Sequence, residues 1–341
     1  GLNKAARNHI LIRDTSALEQ MRNVDVVVFD KTGTLTEGHP TGIGWLWAQG
    51  QEEHYKDVLL AAESTSDHPL AEAIVTALEG EEQVIPAHLD GFENITGKGV
   101  RVAYQGAEYW VGSHKLLKDY QANLSDILAD MLTQYESDGN SIVYFGREND
   151  LLAVIAIKDQ LRVTSMEAIR ELRTQDIEIC MLTGDGERTA SSVAGSLGIM
   201  RFVADAMPDD KEDFIHKLQL QGKTVAMVGD GVNDAQALSC ADVSIAMGKG
   251  TDTLMDTAMI TLRTSDLLLL PKVFRLSRQT VSLMYRNLFW AFIYNTVGIF
   301  VAAGVLYPVY DILLSPALAG AAMALSCVSV ALSSLRLSSR F

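Results

Sequence analysis

Positive charge is scarce in this sequence. Lys and Arg number 28 against 43 Asp and Glu, leaving a formal net charge of −15 over 341 residues. No basic stripe interrupts the acidity, which excludes nucleic acid as a partner. Cysteine is scarcer still: Cys180, Cys240 and Cys327 are odd in number and far apart. They compose neither a disulfide framework nor a CxxC metal site, as expected for a polar part in a reducing, cytosolic setting. The opening residues GLNKAARNHILIR have no apolar core or cleavage pattern of a leader peptide and no initiator Met, so the expectation is a piece of a longer protein. The length and a 48% hydrophobic content are ample for two or three domains with a sizeable core.

Two stretches lack charge altogether, 287–310 and 312–335. Each exceeds the roughly 20 residues needed to cross a bilayer as a helix, so a two-helix transmembrane hairpin is expected there. A pair of buried core helices is the competing reading, which the lengths and the aromatic and small residues disfavour. Lys272, Arg275, Arg278 and Arg286 precede the pair and Arg336 and Arg340 follow it, while the connection YPVYD holds no basic residue. Both ends of the hairpin are therefore expected on the cytosolic side.

The polar part alternates. IEICMLTGD, RFVADA, KTVAMVGDG and DVSIAMG read as strands, separated by the helical stretches GERTASSVAGSLG, DDKEDFIHKLQLQG and NDAQALSCA. Such alternation predicts a doubly wound, mostly parallel α/β sheet with its ligands at the carboxyl ends of the strands. The apolar run Val26–Phe29 reads as a further buried strand, ending in Asp30 and the hydroxyl-rich KTGTLT. A strand-end acid usually caps the next turn. Here small residues and hydroxyls crowd around one carboxylate, as in a phosphate or metal site. Residues 39–157 break the alternation with antiparallel-looking strands and two helices, which predicts an inserted α+β domain. The expected boundaries are 1–38 with 158–264 for the first domain, 39–157 for the insert and 265–286 for a connecting helix, with hinges at Glu37–Pro40 and Ile157–Leu161.

Hydrolases of the haloacid dehalogenase type place a second Asp two residues after the nucleophilic one, as general acid and base. Here that position is Thr32. An aspartyl-phosphate formed on Asp30 would therefore persist, which suits a machine that uses the intermediate to drive conformational change. Asp30, the Thr32 carbonyl and Asp230 offer hard oxygens to Mg²⁺. Lys211 would neutralise charge on the phosphoryl group, and Thr183 would hydrogen-bond it.

The motifs DKTGTLTEG, MLTGDGERTA, MPDDK and VGDGVNDAQAL, in that order, resemble the phosphorylation domain of P-type ATPases, whose core is haloacid-dehalogenase-like. The resemblance implies Asp30 as the phosphorylated residue, beside Lys31 and Thr32. Thr183, Gly184, Asp185, Lys211, Asp230, Asn233 and Asp234 would complete the site. ESTSDHPLAEAIV and GKGV resemble the nucleotide-binding domain of the heavy-metal branch, implying ATP contacts at Glu63, His68, Gly97 and Gly99. Alone, SDHP reads more simply as a helix cap. In the apolar stretches the pair Tyr294–Asn295 and the set Met323, Ser326 and Cys327 resemble the copper-transporting subgroup, and a thioether suits Cu(I). Ordinary helix packing is the equal alternative for these residues.

Several positions depart from that pattern. Cys327 replaces a Ser, Phe300 and Gln236 each replace a Pro, and Asp67 replaces a Glu. No TGE loop and no CPC motif occurs, so the resemblance covers a C-terminal half without the actuator domain. The implied whole is a multi-pass protein of a bacterial inner membrane that exports Cu(I) at the expense of ATP, with Zn or Cd as the alternative cargo. A nucleotide-binding fragment without turnover is the further alternative.

Overall fold

A computed structural model describes residues 5–303, apart from residues 7, 41, 49–51, 67, 82, 125, 231–233 and 249–257. The chain divides into two compact units, one drawn from Gly1–Asn23 and Leu269–Phe341, the other from Val24–Leu268. The smaller unit holds β1 (Ile10–Ile12), α1 (Ser16–Arg22) and a C-terminal helix, Leu269–Ala302. The Ser277 hydroxyl donates to the Leu18 carbonyl, and the Arg22 guanidinium lies 5.5 Å from the centre of the Tyr285 ring. These contacts join α1 to the long helix.

The expected connecting segment 265–286 and the first apolar stretch share one helix, which runs from Leu269 to Ala302. No helix among the described residues is long and apolar enough to cross a membrane. Residues 304–341, and with them the second stretch and Met323, Ser326 and Cys327, lie outside the described residues.

In the larger unit, β2 (Val26–Asp30) leads through a tight turn at Lys31–Leu35 into the insert. There β3 (Gly42–Trp47), α2 (Glu52–Glu63), α3 (Pro69–Glu79), β4 (Gly91–Ile95), β5 (Gly99–Tyr104) and β6 (Ala107–Gly112) follow. Next come α4 (His114–Asp119), α5 (Asp126–Ser137), β7 (Ser141–Arg147) and β8 (Asp150–Lys158). The chain then returns through α6 (Ser165–Arg173), β9 (Glu178–Leu182), α7 (Glu187–Leu197), β10 (Arg201–Val203) and α8 (Pro208–Leu220). It closes with β11 (Val225–Gly229), α9 (Ala235–Cys240), β12 (Val243–Met247) and β13 (Ile260–Leu262).

The strands β13-β12-β11-β2-β9-β10 lie side by side and pair in parallel, as the alternation predicts. Every residue of β2 is buried, so both of its faces are covered and the run must be continuously apolar. Val26 and Val28 pack with Ile215 and Leu218 of α8 and Ala237 of α9. The register sets Asp30 opposite Leu182 and Phe29 opposite Val228. Asp30, Thr183 and Asp230 thus fall at the same carboxyl edge of three neighbouring strands.

The insert is a six-stranded antiparallel sheet in the order β3-β8-β7-β6-β5-β4. Alternate residues of its strands, Val100, Val102, Tyr109, Val111, Phe145 and Ile155, form a core with Leu59 and Leu60 of α2 and Ile74 of α3. The two linkers to the insert run side by side. Thr36 bridges Leu161, Glu37 N donates to Gln160 O at 2.8 Å, and Arg162 N donates to Leu35 O at 3.0 Å.

The β5–β6 pair tolerates no side chain at its crossing point. A Cβ on Gly112 would lie 2.1 Å from Lys98 O, whereas one on Gly91 would meet nothing within 4 Å. Gly112→Ala is therefore expected to cost about 2–3 kcal/mol through forced backbone displacement, and Gly91→Ala almost nothing. Denaturant unfolding of the two variants side by side checks the contrast; equal midpoints would refute it.

Candidate active site

The turn after β2 begins with Asp30 in extended geometry and needs Gly33 at φ +71°. Thr36 N reaches back to Lys31 O at 3.1 Å, and Thr36 Oγ1 both donates to Lys31 O and accepts from Gly33 N. This internal bonding closes the loop on itself and presents Asp30 at the sheet edge. A Cβ on Gly33 would lie 1.5 Å from Asp230 Oδ2, so only glycine lets the turn and the β11 end meet.

Lys211 is the pivot of the site. Its ammonium lies 2.6 Å from Asp30 Oδ1 and 2.7 Å from Asp234 Oδ1, and all three residues are buried. Burial works against the charged ammonium, but the two carboxylates outweigh it and raise the Lys211 pKa. Its place follows from α8, whose first turn begins at Pro208 beside Met207, with the Asp210 carboxylate accepting from Met207 N at 2.9 Å.

Asp30, Asp230 and Asp234 offer carboxylate oxygens all within 4.8 Å of one another. Burial first, then the neighbouring Asp30 and Asp234 charges, pushes Asp230 up to about 7. Three crowded acids with one shared lysine fit a hard divalent cation in charge and donor type. The expected ligands Asp30 and Asp230 are therefore together, and Asp234 joins them. Thr32 is half-buried in the turn.

A second ion pair lies beside the first. Lys31 pairs with Asp185 and donates to Ser141 Oγ at 2.7 Å. Thr183 Oγ1 donates to Asp185 Oδ2 at 2.9 Å and accepts from Asp185 N at 3.1 Å, so the loop after β9 is tied at its base. Burial alone would raise the Asp185 pKa, yet Lys31 and the hydroxyl donors hold it below the ordinary carboxylate range. Gly184 is exposed, and a Cβ there would meet only Ala206 O at 3.7 Å. Asn233 lies outside the described residues.

In the insert, His68 caps α3, its Nδ1 accepting from Leu70 N at 3.2 Å, so the plain capping reading of SDHP holds for this atom. Desolvation by neighbouring atoms leads in lowering the His68 pKa, with the Asp185 and Asp30 charges opposing it and those of Lys31 and Lys211 assisting. Glu63 ends α2 with 5% of its surface exposed, and burial pushes its pKa up to about 8. Gly97, at φ +68°, would bring a Cβ within 3.0 Å of Met207 Cε. Gly99 answers to packing: a Cβ there would lie 2.1 Å from Val111 O.

Reading the sequence missed Arg162 and Ser141. Arg162 is buried, and its guanidinium donates to the carbonyls of Thr34 at 2.9 Å, Gly33 and Glu37, clamping the Asp30 loop from the return linker. A cation directly after the expected hinge, the Arg of KDQLR, was the available signal. Ser141 opens β7, and nothing in the strand pattern of GNSIVYF marks it as a partner for Lys31.

Residues 24–242 match the haloacid dehalogenase-like hydrolases, and the chain belongs to that family. The chain is 42% identical over 337 residues to a copper-exporting P-type ATPase of Legionella pneumophila subsp. pneumophila, covering 99% of this chain and 46% of that protein. A silver exporting P-type ATPase of Salmonella typhimurium is 43% identical over 342 residues, covering 99% of this chain and 41% of that protein. This chain therefore spans less than half the length of either relative. Among solved structures, a zinc-transporting PIB-type ATPase matches with a TM-score of 0.65 and 35% identity over 98% of this chain and 53% of that one. The catalytic domain of the CPx-ATPase CopB-B matches at a TM-score of 0.66 and 27% identity, over 80% of this chain and 97% of that one.

Two outcomes are expected from the site's packing and charge. Gly33→Ala should abolish phosphoryl uptake while the insert stays folded, measured by label incorporation alongside circular dichroism. Glu63, with its folded pKa raised from 4.5 to about 8, contributes stability that is complete below pH 4.5 and lost as pH rises through 8. The full loss is on the order of 5 kcal/mol. Glu63→Gln should flatten that fall in melting temperature, and an unchanged pH profile would refute the assignment.

Proposed function

We propose that this chain is the catalytic half of a metal-cation-exporting P-type ATPase, with Cu(I) as the cargo. The observation that carries the reading is the convergence of Asp30, Lys211, Asp234 and Asp230 at one sheet edge. ATP binds between the insert and the parallel-sheet domain, against Glu63, His68, Gly97 and Gly99. An Asp30 oxygen attacks the γ-phosphorus, the bond to the bridging oxygen breaks, and ADP departs. Lys211 balances charge on Asp30 and on the transferred group, and Thr183, Gly184 and Asn233 contact its oxygens. Mg²⁺, held by Asp30, the Thr32 carbonyl and Asp230, supplies charge neutralisation to the phosphates when bound.

Thr32 in place of a second acid leaves the acyl-phosphate without a built-in base. Its hydrolysis then depends on an actuator domain in the other half of the protein. The C-terminal helix supports a membrane setting, because Leu288, Phe289, Phe292, Val297, Ile299 and Phe300 are all exposed large apolar residues. We take 287–310 and 312–335 as the hairpin, in a bacterial inner membrane with the other domains cytosolic. Tyr294, Asn295, Met323, Ser326 and Cys327 are its candidate cargo ligands.

The likeness to a zinc-transporting structure at 35% identity supports Zn²⁺ as a second reading. Incubation with γ-labelled ATP and Mg²⁺ tests the first step. Wild type should take up an acid-stable, hydroxylamine-sensitive label and Asp30→Asn none. Label on both would refute Asp30 as the acceptor. In the full-length protein, stimulation by Cu⁺ supports the copper reading, and stimulation by Zn²⁺ alone replaces it.

A further inference from the structure

Glu212 and His216 stand one turn apart on α8, with His216 Nε2 3.5 Å from Glu212 Oε1. Cys240, the last residue of α9, approaches the same spot. The three donor atoms lie within 4.8 Å of one another, and this cluster shares no residue with the acids around Asp30. Nothing in the phosphoryl chemistry uses it.

The surroundings fix how these donors point. Gln219 Nε2 donates to Cys240 O at 2.9 Å and to Asp242 Oδ2 at 3.2 Å, both of which only accept. The amide oxygen of Gln219 must therefore be the atom 3.2 Å from His216 Nδ1. An oxygen there accepts from Nδ1–H, which leaves Nε2 as the ring nitrogen that faces Glu212. A histidine whose far nitrogen is held by a hydrogen-bond acceptor is the arrangement that prepares imidazole for a metal. Asp242 in turn accepts from Val225 N at 2.8 Å, so the orienting group is anchored in the sheet.

We propose that Glu212, His216 and Cys240 form a second metal site, for a borderline-soft divalent cation of the zinc class. One thiolate, one imidazole and one carboxylate match the mixed S, N and O preference of that class. A hard cation would reject the sulfur, and Cu(I) gains nothing from the carboxylate. His216 is exposed, which leaves the solvent side open for a water as fourth ligand and for entry. On binding, the Cys240 proton leaves to solvent and the thiolate takes its place on the metal. Because α8 begins beside Lys211 and α9 begins beside Asp234, a bound cation would pin together the two helices that deliver those residues.

Cobalt titration of the whole chain in detergent, with Cys327→Ser as the background, reads the site directly. One equivalent of Co²⁺ should produce a thiolate-to-metal charge-transfer band that Zn²⁺ abolishes. Cys240→Ser should remove the band, and Gln219→Ala should weaken Co²⁺ binding by about tenfold or more. Asp30→Asn should leave it intact. A band that survives Cys240→Ser overturns the proposal, as does Cu⁺ binding with Zn²⁺ excluded. If Cys240→Ser loses its fold by circular dichroism, the exposed His216→Gln decides: a band unchanged in that variant overturns the assignment.

Discussion

One ammonium group holds this site in its observed form. Lys211 lies between Asp30 and Asp234 in a buried setting, where separating any member leaves an uncompensated charge at a cost of roughly 3–5 kcal/mol. Much of the fold follows from that need. The parallel sheet lines up three strand ends, α8 begins where its fourth residue meets the middle strand, and α9 begins where Asp234 completes the pair. Charge still does not balance. Asp230 adds a third acid, and burial together with the neighbouring Asp30 and Asp234 charges raises its pKa.

The glycines and hydroxyls of KTGTLT answer the same need at closer range. Thr36 spends its hydroxyl on the turn itself, and Gly33 gives up a side chain so that Asp230 can approach. Lys31 turns away from Asp30 to pair with Asp185. Adjacent residues thus serve two separate charge clusters, which keeps one cation from satisfying both.

The parallel sheet, the insert and most of the acid cluster were legible in the sequence, because each rests on local signals. Continuous apolar runs mark strands buried on both faces, and each such strand ends in a short polar motif. What sequence could not convey depended on distant pairs. Ser141 and Lys31 are 110 residues apart, and no spacing rule links them. Gly99 reads from sequence as a position for nucleotide approach, and the pairing of β5 with β6 demands a glycine there as well. The expected connecting helix runs on into the first apolar stretch because no Gly or Pro interrupts it near 286, and change of polarity does not end a helix.

The paired linkers at Thr36 and Leu161 carry a mechanical consequence. Two chains hydrogen-bonded to each other form a ribbon, which bends across its thin direction far more readily than it twists or stretches. An insert mounted on such a ribbon would swing along an arc rather than wander. Arg162 sits on that ribbon while gripping the carbonyls of the Asp30 loop. Bending of the ribbon would therefore be passed through Arg162 to the backbone of the turn that follows Asp30.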